Sequence, residues 1–198
     1  MDEADDELAR LRQRCWTEAI HCYGTAKIFE ARTLILRHRL RVLAFLGVGV
    51  PLSVGAAVTS FGIDSTLTPW FLGAASVLSV VGGILSAWAL TNRWEDELSY
   101  AADSMTANRI LSEEYSKLAS STNVGLSKVR EQLNLLEKEN STRSSFDEKQ
   151  GITEDEKRMG MRAALRQFQR KCATCGIVPT SMEPSNCGTC GNFKVRRF

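Results

Sequence analysis

Acidic and basic side chains are missing from two long stretches, residues 42–61 and 70–90, although charged residues make up 24% of the chain. A helix of about 20 residues spans the roughly 30 Å hydrocarbon core of a bilayer, so each run is long enough to cross one. Histidine is nearly absent as well, with only His21 and His38. Both lie in one amphipathic stretch where no Ser/His/Asp set gathers around them, and the chain has no glycine-rich phosphate loop. Hydrolytic triads and nucleotide-cleaving loops are therefore not expected, and the chain is not read as an enzyme. A secretory signal peptide is not expected either, because the chain opens on Met-Asp-Glu-Ala-Asp-Asp-Glu and the first apolar run starts only at Val42. Aromatic rings are scarce where positive charge is densest. Only Phe168, Phe193 and Phe198 are there to stack on bases, which disfavours sequence-specific reading of nucleic acid.

The two uncharged runs are joined by residues 62–69, which predicts an antiparallel transmembrane hairpin, since a backbone in lipid must satisfy its own hydrogen bonds. Arg37, His38, Arg39 and Arg41 precede the first run and Arg93 follows the second, while Asp64 is the only charge between them. Basic flanks stay cytoplasmic, so both termini are expected inside a multi-pass protein of the bacterial inner membrane. The first span stacks Ala44, Gly47, Pro51 and Gly55 on one stripe. In the second, Phe71, Ala74, Leu78, Val81, Leu85 and Trp88 share one helical face and Ser76, Ser79, Gly83, Ser86 and Ala87 the other. The small, polar face has two readings. It packs against a helix, either the first span or another copy of the chain, or it lines a narrow wettable passage between several copies. A two-span subunit cannot enclose a pore alone, so homo-oligomers and lipid are the expected partners.

Before the hairpin, Leu8, Leu11, Cys15, Ala19, Cys22, Ala26 and Phe29 recur at spacings of three and four, the mark of an amphipathic helix. Cys15, Cys22 and His21 are not expected to hold a metal, because no fourth ligand is near; a buried seam of small residues fits better. After the hairpin, Trp94, Leu98, Ala101, Met105, Leu111, Tyr115 and Leu118 keep a helical rhythm that slips between Met105 and Leu111. A break is expected at residues 120–125, then a short helix on Leu126, Val129, Leu133 and Leu136. Residues 140–152 are polar and patternless, which predicts a linker. Thr153 and Glu156 form a capping box that starts one more helix, running to about Arg170. The expected organisation is a cytoplasmic helical arm over 1–41, the hairpin over 42–90, a cytoplasmic helical region over 91–139, the linker, and a basic helix with a cysteine module over 153–198.

That module carries Cys172-Ala-Thr-Cys175-Gly176 and Cys187-Gly-Thr-Cys190-Gly191, a CxxC-x11-CxxC pattern. Two residues between cysteines let both sulfurs reach one ion from a tight turn, and two such turns supply four thiolates in a tetrahedron. Zinc is the expected ion, with iron in a rubredoxin-like site as the alternative. Four cysteines leave no open coordination position, so the site is expected to be structural, in a small zinc-ribbon-like fold that depends on its ion. From Lys157 to Phe198 there are nine Lys and Arg against a single Glu. Arg166, Arg170, Lys171, Lys194, Arg196 and Arg197 are accordingly candidate contacts for phosphates on nucleic acid, a nucleotide or lipid head groups, or for simple adhesion to an anionic membrane.

This order of parts resembles the bacterial SLATT proteins, two-transmembrane effector domains associated with nucleotide signalling, and within them the mobilome CxxC-x11-CxxC proteins, whose label is the spacing of Cys172, Cys175, Cys187 and Cys190. The resemblance implies an all-α membrane protein with a role in conflict with phage or plasmids, its hairpin a pore-forming or membrane-perturbing effector. With no sensor domain fused to the chain, the trigger would come from a partner that senses a nucleotide signal or from the cysteine module. The alternative is a membrane-tethered adaptor whose zinc module recruits protein or nucleic acid.

Overall fold

The structure, a computed structural model, describes residues 3–61 and 68–194. Among the described residues it is all helical: α1 (Glu3–Phe61), α2 (Thr68–Thr91), α3 (Trp94–Ser120), α4 (Leu126–Glu148) and α5 (Glu154–Gln167), with no strand. The chain divides into two compact units, Met1–Ala31 with Ala101–Phe198, and Arg32–Tyr100.

The first unit is built on the predicted seams. Cys15, Ala19, Cys22, Ala26 and Phe29 are buried on α1, and Leu8 and Leu11 pack half-buried against the same core. From α3 come Leu111, Tyr115, Leu118 and Ala119, and from α4 Val129, Leu133 and Leu136. A buried seam on α3 runs through 101, 104, 108, 111, 115 and 118, an unbroken alternation of three and four, with Ser112 and Ala119 buried beside it. The hydrophobic rhythm slips between Met105 and Leu111 because Ser104 and Asn108 hold the buried places there.

Those two polar residues account for a correction. The stretch expected as a linker is helix as far as Glu148, with only the turn around Lys149–Ile152 before α5. On α4 the inward seam continues from Leu136 through Asn140 and Arg143 to Asp147, changing from apolar to polar without changing its period. Asp147 is 3% exposed. Its carboxylate accepts from Ser104 Oγ at 2.6 Å and Asn108 Nδ2 at 2.7 Å, with Arg143 Nε at 3.5 Å. Asn140 donates to Glu18 and accepts from the Cys22 thiol. Buried polar groups persist only when partnered, and these partners come from three helices.

α5 begins at the predicted box, in which Thr153 and Glu156 cap each other's backbone N–H groups. It crosses α1 where Gly24 faces Gly160. A Cβ on Gly160 would fall 2.5 Å from the Gly24 carbonyl oxygen, so this crossing admits no side chain. Residues 153–194 thus do not form a separate knob: Ile20 of α1 packs with Met161, Leu165, Cys172 and Cys190 in one cluster within the first unit.

In the second unit the two apolar stretches form helices long and apolar enough to cross a membrane. α1 passes through Pro51 without leaving the helix. The second helix does not continue smoothly past Arg93. Asn92 and Thr91 fold their side chains back onto the carbonyls of Trp88 and Ala87, and Arg93 takes a left-handed φ of 51° before α3 starts. The Arg39 guanidinium lies 5.4 Å from the Trp94 ring centre, which brings basic flanks of both runs to the same end of the unit. Residues 62–67, including Asp64, lie outside the described residues.

Candidate metal centre

Each cysteine pair sits in a turn closed the same way. Gly176 N–H donates to Cys172 O at 2.8 Å and Gly191 N–H donates to Cys187 O at 3.0 Å. The two glycines are required for different reasons. Gly176 adopts a φ of 71°, which the spacing anticipates. In the second turn the left-handed residue is Asn192, at 52°, and Gly191 is instead a matter of space, because a Cβ there would collide with the Ser185 hydroxyl and carbonyl. No strand joins the turns, so the expected ribbon is present as turns alone among the described residues. Thr174 and Thr189 bridge them through their hydroxyls at 2.6 Å.

The turns bring all four sulfurs within 4.8 Å of one another. Cys172 and Cys187 are 3.9 Å apart and Cys175 and Cys190 3.8 Å. A tetrahedron with metal–sulfur bonds of about 2.3 Å has edges of about 3.8 Å, whereas a disulfide would need about 2.05 Å. The four cysteines are unpaired and their spacing fits one metal ion. Cys172 and Cys190 are buried and Cys175 is exposed. Backbone N–H groups of Cys190 and Thr189 aimed at Cys187 lower its thiol to about 6, while burial and then the neighbouring sulfurs push Cys190 up. The site therefore favours a thiolate at Cys187 and disfavours one at Cys190 until a cation stands beside it.

Two residues of this site have no counterpart in the sequence reading. Arg162, nine-tenths buried, donates from Nε to Ser181 O at 2.8 Å and from Nη1 to Cys190 O at 3.2 Å. Arg158, one turn earlier, donates to Gly188 O at 3.0 Å and Asn192 O at 3.2 Å. Together they hold the second turn from three sides and set two positive charges beside a site that would carry −2 with a divalent ion bound. Their spacing of four, facing the cysteines, was visible in the sequence, but a basic helix ordinarily reads as solvated surface. Arg166, Arg170, Lys171 and Lys194 are exposed, with Arg170 stacked 5.2 Å over Trp16. Arg196 and Arg197 lie outside the described residues.

A family model described as mobilome CxxCx(11)CxxC protein matches residues 12–193. The chain belongs to this family. The match takes in both compact units, so the helical arm and the hairpin are as much part of the family as the cysteines. Its association with the mobilome points to a role connected with mobile elements or with defence. No curated protein and no solved structure matches the chain. Cys15 and Cys22, by contrast, are buried in the helical core with raised thiols, burial being the main cause for each, as befits packing residues.

The small face of α2 is divided in the structure. Ser86 is half-buried, on the side that carries Gly82 and Ala89 toward α1, where a Cβ on Gly82 would meet Leu46 at 3.6 Å. Ser76, Ser79 and Gly83 are exposed. The stripe of Ala44, Gly47, Pro51 and Gly55 is exposed too, and Leu43, Leu46 and Val50 pack in its place. The small stripe of the first span therefore does not serve the contact within one chain.

Proposed function

We propose that this protein is a bacterial inner-membrane effector of a conflict or anti-phage system, with α1 and α2 crossing the membrane and zinc held by Cys172, Cys175, Cys187 and Cys190. The observation that carries the membrane part is the outward turn of the hairpin's apolar residues. Phe45 is 71% exposed, Leu52 68%, Trp70 80% and Leu90 80%. Water does not tolerate such a surface on a stable monomer, whereas lipid or further copies of the chain would cover it. The hydroxyls support the same reading: Ser53, Thr59, Ser76, Ser86 and Thr91 each donate to the carbonyl four residues earlier, so they need no water. The exposed stripe of Ala44, Gly47 and Gly55 and the face of Ser76, Ser79 and Gly83 supply close-packing surfaces for homo-oligomers. Triggered, by a partner that senses a nucleotide signal or by the zinc module, these oligomers rearrange and open or perturb the membrane. Both termini lie in the cytoplasm, where the basic flanks gathered at Arg39 and Arg93 remain. The zinc site is structural and the protein is not an enzyme.

Expression together with its genomic neighbours tests this directly. Depolarisation and growth arrest are the expected result, and an unchanged membrane potential overturns it. The alternative is a membrane-tethered adaptor, supported by the four exposed cations Arg166, Arg170, Lys171 and Lys194 beside the cysteines. Replacing the hairpin by an unrelated two-span anchor separates the two, since only the adaptor would keep working. Zinc is distinguished from iron by the metal content of the purified protein and by the absence of a rubredoxin-like visible spectrum.

A further inference from the structure

A cleft of about 680 Å³ opens within the first unit, between the arm portion of α1, the end of α5 and the first cysteine turn. Its floor is apolar, formed by Ile20, Met161 and Leu165, with the Trp16 ring as one wall. His21, Arg170 and Lys171 stand around it, and Gln13 and Gln169 offer amides. Among the described residues no Asp or Glu lines it, although the chain as a whole has 23. That volume is typical of small-molecule sites, as is a mostly apolar surface with a few convergent polar groups. Arg170 is held in place at the wall by stacking over Trp16, 5.2 Å from the ring centre, so its charge is preorganised. The chain turns into the cleft through Gln169, whose φ of 50° is a left-handed conformation that non-glycine residues adopt at some cost and that recurs at binding sites.

We propose that this cleft binds a small organic phosphate bearing an apolar or aromatic group, its ring on Ile20, Met161 and Trp16 and its phosphate on Arg170 and Lys171. The chemistry follows from the lining: two cations without an opposing carboxylate select an anion, and an apolar floor beside an indole selects a ring or short chain attached to it. Because Lys171 and Ala173 flank Cys172, the turn that would hold the metal forms one side of the cleft. The proposal stands apart from the membrane reading, since every lining residue belongs to the first unit.

The test uses the full, metal-loaded chain in nanodiscs of zwitterionic lipid, with trinitrophenyl-AMP as the fluorescent probe. Competitors are AMP, dioctanoyl phosphatidate and inorganic phosphate. Saturable binding that weakens about ten-fold or more in the double variant Arg170→Gln, Lys171→Gln is expected. Thr17→Glu, an exposed position on the cleft wall, brings in a repelling carboxylate without touching the core and is expected to weaken binding by a similar factor at an unchanged melting temperature. Displacement by AMP assigns a nucleotide source and displacement by the phosphatidate a lipid source; either supports the site. Absence of saturable probe binding, binding indifferent to both variants, or displacement by inorganic phosphate as effective as by AMP and phosphatidate overturns it.

Discussion

In the unit Arg32–Tyr100 large apolar side chains look outward, and glycines such as Gly47, Gly55, Gly73 and Gly83 have nothing within 4 Å of where a Cβ would be. In the unit formed by Met1–Ala31 and Ala101–Phe198 the same residue types are turned inward, and Gly24 and Gly160 are in close backbone contact. A single helix, α1, takes part in both. Helical propensity therefore does not separate the two regions; the medium that each side-chain face is shaped to meet does. One region buries its apolar surface within the chain and closes its polar groups on one another. The other leaves apolar surface for something outside the chain, and hydroxyls such as Ser53, Ser76, Ser86 and Thr91 close on their own helix.

The contrast is open to attack at several points. The largest effect is expected from Cys172→Ser, which removes one ligand of a site whose ion is worth on the order of 10 kcal/mol to a small module. Bound metal is expected to disappear from the purified protein and residues 171–194 to become sensitive to limited proteolysis, while the hairpin stays resistant. A resistant second cysteine turn in that variant would mean that Arg158 and Arg162 hold it without an ion. A glycine pair comes next. Gly160→Ala pushes a methyl group into the Gly24 carbonyl and is expected to cost about 1–3 kcal/mol of stability in denaturant titrations. In the detergent-dispersed monomer Gly47→Ala, into space that is open within one chain, is expected to be neutral or to gain up to about 1 kcal/mol from helix propensity. Equal losses at both positions would show that the hairpin's stripe is as tightly packed as the α1–α5 crossing.

Asn108→Leu probes the polar end of the helical core. It takes a donor from the buried Asp147 carboxylate, and a loss of about 1–3 kcal/mol is expected. The smallest effect is a pH dependence. Burial, and then the nearby Glu18 and Asp147 carboxylates, raise the Cys22 thiol from 9.0 to about 12. A thiol raised by folding contributes its full stability below the unfolded value near 9 and loses it as pH rises toward the folded value near 12. The chain is expected to lose about 1 kcal/mol between pH 9 and 10 from this group, and Cys22→Ala to flatten that part of the profile.

Local spacing was enough for several elements. The capping box at Thr153 and Glu156, the break before Leu126, the inward seam of the arm and the convergence of four cysteines all depend on residues within a turn or two of each other, or on chemistry that admits one geometry. The expected linker failed for a reason visible in the same seam. Asn140, Arg143 and Asp147 keep the period of Val129, Leu133 and Leu136, but periodicity searched in hydrophobicity alone is blind to a buried face made of polar groups. Arg158 and Arg162 look like solvated surface for a similar reason, because the carbonyls that claim them lie 19 to 34 residues further along the chain.

By itself, then, the order of amino acids determined most of the helical segments, where charge is forbidden and which four atoms can share a metal ion, because those properties follow from period, length and ligand chemistry. Only the tertiary structure decided which helix faces meet, that Asp147 is buried in the core with Asn140 and Arg143 along its seam, that Gly160 must be bare against Gly24, and that two arginines lock the second cysteine turn onto α5. Each of those is a contact between distant parts of the chain, and its energy exists only once both partners are in place.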